Sequence, residues 1–222
     1  MGNPKISERN EMAVGTARPS RREQILHAAA GLFSTRGYHG VSVDEIGAAV
    51  GISGPGLYRH FRGKEAMLSE LLVGISERLL EGGRSRASHA ERPSQALDAL
   101  LRGHIDFALD DRDLIILQDR DLDSLPEADR HLVRRLQREY VEIWIQVVAQ
   151  AYPGFAGADN QTRARASVHA VFGLLNSTPY SAAAHRTTPS PTREAMAELL
   201  RELALGAFSA AAERFTSEPV QP

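Results

Sequence analysis

Glycines and prolines cut this chain into helix-length pieces, and almost nowhere do β-branched residues alternate with polar ones over the length of a strand. That pattern predicts an all-α fold. Residues 21–36 place Ile25, Ala29, Leu32 and Phe33 at helical spacing and stop at Gly37, a residue suited to a left-handed C-terminal cap. Ser42 stands three residues before Glu45, the spacing of a capping box, so a short helix begins there. Val43, Ile46, Ala49 and Val50 face inward and Gly51 ends it. Ser53 caps a third helix reaching Phe61, with Pro55 in its first turn, where a missing N–H costs nothing. Leu57 and Phe61, four apart, fasten it to the other two.

Gly63 and Lys64 open a longer helix carrying Met67, Leu68, Leu71, Leu72 and Ile75, expected to weaken at Gly82 and Gly83. Residues 93–111 fit a helix with Leu97, Leu100, Leu101, Ile105, Phe107 and Ala108 on its apolar side, followed by an acidic, irregular stretch. Pro126 begins a long amphipathic helix to about residue 152, with Leu132, Val133, Leu136, Tyr140, Trp144, Val147 and Val148 inside and Arg134, Arg135, Arg138 and Glu142 outside. Residues 162–180 and 191–215 form the last two helices, joined by a loop with Pro189 and Pro191.

With 42% hydrophobic and 24% charged residues the chain has the make-up of an ordinary globular protein. Lacking cysteine, it holds no disulfide, thiolate nucleophile or Cys-ligated metal. No apolar run reaches the ~18 residues of a membrane span. Residues 1–19 carry no apolar signal-peptide core, so a cytoplasmic protein without membrane contact is expected. Catalytic and metal patterns fail in turn. Asp119, Asp121 and Asp123 imitate the start of a calcium loop, but Ser124 and Arg130 stand where it needs glycine and glutamate. The run from Gly51 to Pro55 approaches a serine nucleophile elbow with proline in place of its second glycine, and the eight histidines form no HExxH pair. No enzyme, metal or cofactor is expected.

The net charge of −2 hides an asymmetry: residues 1–64 hold nine basic against five acidic side chains, and the remainder 17 against 23. Two short helices joined through a glycine and packed on a third make a helix-turn-helix, whose second member fits a major groove about 12 Å wide. Between Ser53 and Lys64 the chain offers side-chain-free Gly54 and Gly56, then Tyr58, Arg59, His60, Arg62 and Lys64, the hydroxyls, imidazole and cations that meet phosphate oxygens. Lys64 also sits at a helix N-terminus, where free N–H groups favour an anion. A small helical bundle with a solvated basic face is the other reading of the same residues.

The run VSVDEIGAAVGISGPGLYRHFRGKEAML, residues 41–68, resembles the DNA-binding domain of the TetR family of bacterial transcriptional repressors, down to the L-Y-x-H-F-x-x-K pattern at Leu57, Tyr58, His60, Phe61 and Lys64. The similarity covers about residues 21–68. It implies a tail (1–19), a DNA-binding head (20–66) and an effector-binding and dimerisation body (67–222), working as a homodimer on a palindromic double-stranded operator. By position, Ser42, Ser53, Tyr58, His60 and Lys64 match family residues that contact phosphates, while Gly54, Pro55, Gly56 and Arg59 fall where bases are read. Among these only Arg59 can bond guanine O6 and N7 together, and Pro55 can meet a thymine methyl. Arg18, Arg21 and Arg22 are further candidates.

In that family the last two helices usually make a four-helix dimer interface, which points here to Val168, Val171, Leu175, Leu199, Leu203, Ala207, Phe208 and Ala211. Intramolecular core is the competing reading of each. A small-molecule effector pocket is expected within residues 64–180, lined by Phe107, Leu117, Tyr140, Trp144 and Phe172, with His104, Gln118 and Asn176 as its polar groups. Residues 115–144 also resemble regulators of fatty-acid and steroid breakdown that answer to acyl-CoA thioesters, with Arg120, Arg130, Arg134 or Arg135 for the CoA phosphates. A helical ligand carrier or protein-interaction module that happens to contain a helix-turn-helix is the alternative.

Overall fold

The computed structural model describes residues 19–180 and 191–213, so most of the expected tail with Arg18, the loop at Pro189, and the chain beyond residue 213 lie outside it. The described residues are helical, with no strand among them. Helix α1 (Arg21–Arg36) is capped by Ser20, whose Oγ accepts from the Glu23 N–H at 3.2 Å while the Glu23 carboxylate accepts from the Ser20 N–H at 2.6 Å. Gly37, at φ +81°, closes it by donating to the Phe33 carbonyl.

Helix α2 (Val43–Ala49) carries the expected capping box between Ser42 and Glu45. Those bonds to the Ser42 backbone and hydroxyl, with Arg36 alongside, hold the Glu45 carboxyl down at about 2. Ile46 is buried as expected, but Ala49 faces solvent. Helix α3 (Gly54–Leu57) is shorter than its reading. Two glycines leave a poor helix, and bonds from the Arg59 N–H to Gly56 and from the His60 N–H to Leu57 tighten it into turns.

Helix α4 (Lys64–His89) runs unbroken through Gly82 and Gly83. A Cβ on Gly83 would stand 2.7 Å from Tyr140 Cε2, so this glycine lets two helices approach instead of ending one. Then come α5 (Pro93–Asp110) and α6 (Arg112–Arg120), which replaces the irregular stretch because Leu114, Ile115 and Leu117 give it a buried apolar face. A 3-10 turn (Leu122–Ser124) leads to α7 (Glu127–Ala151), and another (Pro153–Phe155) to α8 (Ala158–Asn176) and finally α9 (Arg193–Glu213).

Two buried groups hold these helices together. One joins Ile25, Phe33, Ile46, Leu57 and Phe61 of the head to Met67, Leu72 and Ile75 of α4 and to Ile115 and Leu117 of α6. The core therefore does not divide at residue 66, where the head was expected to end. The other packs α5, α7, α8 and α9 around Trp144, Val148, Val168, Val171, Leu175 and Phe208. Each such side chain contributes about 1.5–3 kcal/mol by leaving water.

Helix α6 also clamps the end of α1. Arg120 donates to the Ser34 carbonyl at 3.0 Å and to the Phe33 carbonyl, where a cation suits the negative end of the helix dipole. Asp113 accepts from the Ser34 hydroxyl at 2.6 Å.

Candidate nucleic-acid interface and body cavity

Leu57 and Phe61 point into the core and thereby turn the other side of α3 outward. On that side Pro55, Tyr58, Arg59 and Arg62 are exposed, Tyr58 to 57%. None of Tyr58, Arg59 or Arg62 has a side-chain partner among the described residues. Gly56 and His60 are half-buried at the rim, and Ser42 and Ser53 sit exposed at the N-termini of α2 and α3, each bonded as a cap. Gly51, at φ +69°, makes the turn between the two helices.

Gly54 is placed otherwise than the sequence suggested. It is buried, and a Cβ there would lie 2.2 Å from Asp44 Oδ1, so it seats α3 on α2 and faces no ligand. Two cations are engaged by other parts of the chain. Lys64 Nζ donates to the Tyr38 and Val41 carbonyls, both at 3.0 Å, and lies 4.6 Å from the centre of the Tyr38 ring. Arg22 forks onto Glu70, donates to the His60 carbonyl at 2.5 Å and covers the Phe61 ring. It ties α1, α4 and the end of α3 together, a role the sequence reading missed. Arg21 remains exposed, bonded to Gln24 at 2.9 Å.

Within the body a cavity of about 180 Å³ opens between α4, α5, α6, α7 and α8. Six of the expected residues line it: His104, Phe107, Gln118, Tyr140, Phe172 and Asn176. Leu117 belongs to the core shared with the head, and Trp144 stands behind the wall, its ring against His104, Tyr140 and Phe172. Ser76 and Leu79 of α4 and Gln137 and Val141 of α7 complete the lining. Gln137 could have been found, since it precedes Tyr140 by three on the inward stripe.

The imidazole of His104 organises the polar side. Asn176 Oδ1 lies 3.1 Å from Nε2 and the Tyr140 hydroxyl 3.3 Å from Nδ1, while the Phe172 ring stacks on His104 at 4.6 Å. Burial drives the His104 pKa down to about 4 against the opposing pull of Asn176, so the ring is neutral. With an acceptor at Asn176, the proton sits on Nε2 and Nδ1 accepts from Tyr140. Burial raises the Tyr140 hydroxyl to about 12, with the Trp144 indole N–H pulling the other way.

Four expected dimer residues, Val168, Val171, Leu175 and Phe208, are fully or almost fully buried within the single chain, in line with the competing reading as intramolecular core. Val168, Val171 and Leu175 share one face of α8, packed on α7 and α5, and Phe208 lies on the face of α9 packed on α5 and α8. Leu199 and Leu203 are exposed, to 45% and 47%, beside Gly206, Ala207 and Ala210, while Ala166, Ala170 and Gly173 are exposed on α8.

A helix-turn-helix head fused to a helical body with an internal cavity is an arrangement found in DNA-binding transcriptional regulators. The family description "Bacterial regulatory proteins, tetR family" matches residues 25–71, and "Tetracyclin repressor-like, C-terminal domain" matches residues 90–180. The chain belongs to the TetR family. It is similar to the transcriptional repressor KstR2 of Mycolicibacterium smegmatis, with 27% identity over 165 residues that make up 72% of this chain and 77% of that protein. A TetR-family regulator from Bordetella parapertussis 12822 superposes with a TM-score of 0.72 at 28% identity, covering 83% of this chain and 93% of that one. AibR, solved with isovaleryl coenzyme A and operator DNA, shares the fold with a TM-score of 0.66 at 23% identity, over 83% of this chain and 97% of its own. Among the described residues no helix is long and apolar enough to cross a membrane.

Proposed function

We propose that this protein is a repressor that binds a palindromic operator as a homodimer and is released by a small hydrophobic effector held in the body cavity. The observation that carries this reading is the outward side of the short α3 and the turns that follow it, where a tyrosine and two arginines stand exposed without a protein partner. Tyr58, His60, Ser42 and Ser53 contact phosphates. The half-buried Lys64 keeps one N–H for a phosphate beside the uncapped N-terminus of α4. Base reading falls to Arg59 and Pro55, with Gly56 permitting close approach. Repression is the better-supported direction of control because KstR2 is a repressor.

The exposed small residues of α8 and α9 around Leu199 and Leu203 form the dimer contact, since they let helices of two copies approach closely. The effector acts through α6. That helix carries Gln118 in the cavity wall and, two residues on, Arg120 on the end of α1, so a ligand that moves Gln118 moves the head. The acyl-CoA form of the reading draws support from the isovaleryl-CoA bound by AibR. The arginines offered for it do not line the cavity: Arg120 serves α1, and Arg134 pairs with Asp123 at 3.1 Å.

Selection from random duplexes tests the proposal. A twofold-symmetric site bound by two protomers is expected, with affinity falling linearly in log–log against salt. Recovery of no symmetric sequence would count against it.

A further inference from the structure

The cavity lining contains no Asp, Glu, Lys or Arg, and its volume of about 180 Å³ is near that of an apolar cavity of roughly 150 Å³ that accepts benzene. Four rings line it, those of Phe172, Phe107, Tyr140 and His104, with Phe172 stacked on His104 and on Tyr140. A carboxylate or phosphate entering it would lose its water without meeting a cation in the lining, Arg86 acting on Tyr140 only from the exposed side of α4, and no hydrogen bond to a neutral amide restores that loss in full.

Its polar groups are also biased. Asn176 Oδ1 is taken by His104, while Asn176 Nδ2 has no acceptor among the described residues. The Gln137 amide has no partner among them either, and Gln118 only approaches Ser76 Oγ, at 3.5 Å. The free Asn176 Nδ2–H group therefore seeks an oxygen that accepts, while the two glutamine amides can turn either their donor or their acceptor to a ligand.

Resting on the effector reading above, we infer that the cavity takes an uncharged, single-ring compound bearing a carbonyl oxygen, a ketone or carboxamide, and excludes carboxylates and CoA thioesters. The ring lies among the aromatic faces. The carbonyl oxygen accepts from Asn176 Nδ2 and from the Gln137 amide.

Acetophenone, benzamide and benzoate share a phenyl ring and a carbonyl carbon and differ in the charge of the head group. The full chain is titrated with each, and with isovaleryl-CoA, following Trp144, the single tryptophan, by fluorescence and Tm in parallel. Trp144 lies in ring contact with three lining residues, so its emission reports occupancy. Acetophenone and benzamide are expected to bind saturably, benzoate about 100-fold more weakly, and isovaleryl-CoA not at all. Gln137→Leu is expected to weaken acetophenone about 10-fold and to leave toluene unchanged.

Benzoate or isovaleryl-CoA binding as tightly as acetophenone overturns the inference, as does the absence of a saturable response to both neutral compounds. These comparisons stand on the wild-type chain even if Gln137→Leu does not fold. DNA binding by the ligand-free protein is measured separately. Acetophenone binding without any selected DNA site sinks the regulator reading alone, whereas tight benzoate binding with DNA binding intact sinks the ligand class alone.

Discussion

The outer face of α3 and the body cavity are built on opposite terms. Just after α3, Tyr58 and Arg59 stand in water with no protein partner, while in the cavity His104 already bonds Tyr140 and Asn176 and stacks on Phe172. A surface of the first kind contributes little to folding and can be altered with effects confined to binding. A wall of the second kind is also core, so a change that alters ligand binding alters stability with it.

The largest expected effect breaks that comparison on the cavity side. Trp144→Ala removes a side chain buried completely behind the wall and should cost about 3–5 kcal/mol of unfolding free energy in a denaturant titration. A loss near zero would mean the aromatic cluster is not structural. Acid sharpens the same point. Burial holds His104 at about 4 in the folded chain, below the usual 6.5 of an imidazole, so between these values the unfolded chain binds a proton that the folded chain does not. The stability it contributes is fully present above pH 6.5, falls as pH drops towards 4 and amounts to about 3 kcal/mol in all. In His104→Gln, that part of the pH dependence should disappear from the melting curves.

On the α3 side the expected effects are on binding. Arg59→Ala should remove about 1–3 kcal/mol of preference for guanine at one position of each half-site and leave Tm within error, as read by selection and melting on the same preparation. Equal preference before and after would deny Arg59 its base contact. The smallest effect is Ser42→Ala, about 1 kcal/mol of stability from the lost cap of α2, measurable by thermal unfolding without DNA.

The contrast also explains what was legible in the sequence. The head is written in local signals: the box at Ser42 and Glu45, the stop at Gly37 and the turn at Gly51 each act within a few residues, and α1 and the entry to α2 follow from them. In the body, local signals misled where distant partners decided. Gly83 looked like a break until Tyr140 of α7 is found against it. Val168, Val171 and Leu175 form an apolar stripe on α8, but only the packing of α5 and α7 determines that the stripe faces inward.

The same holds for the sites. Lys64 and Arg22 read as free cations beside Arg59, yet the carbonyls of Tyr38, Val41 and His60 that engage them come from other parts of the chain. Six cavity residues were legible as aromatic and polar side chains on inward faces, whereas Ser76 and Leu79 enter the wall only because α4 packs against α7.

Cross-linking from a photoreactive side chain placed at residue 59 is the most direct measurement of whether α3 docks in a major groove. The account predicts adducts on bases at two symmetric positions of the selected duplex, lost when salt is raised. Adducts confined to sugar or phosphate, or none at all while the duplex stays bound, would contradict it.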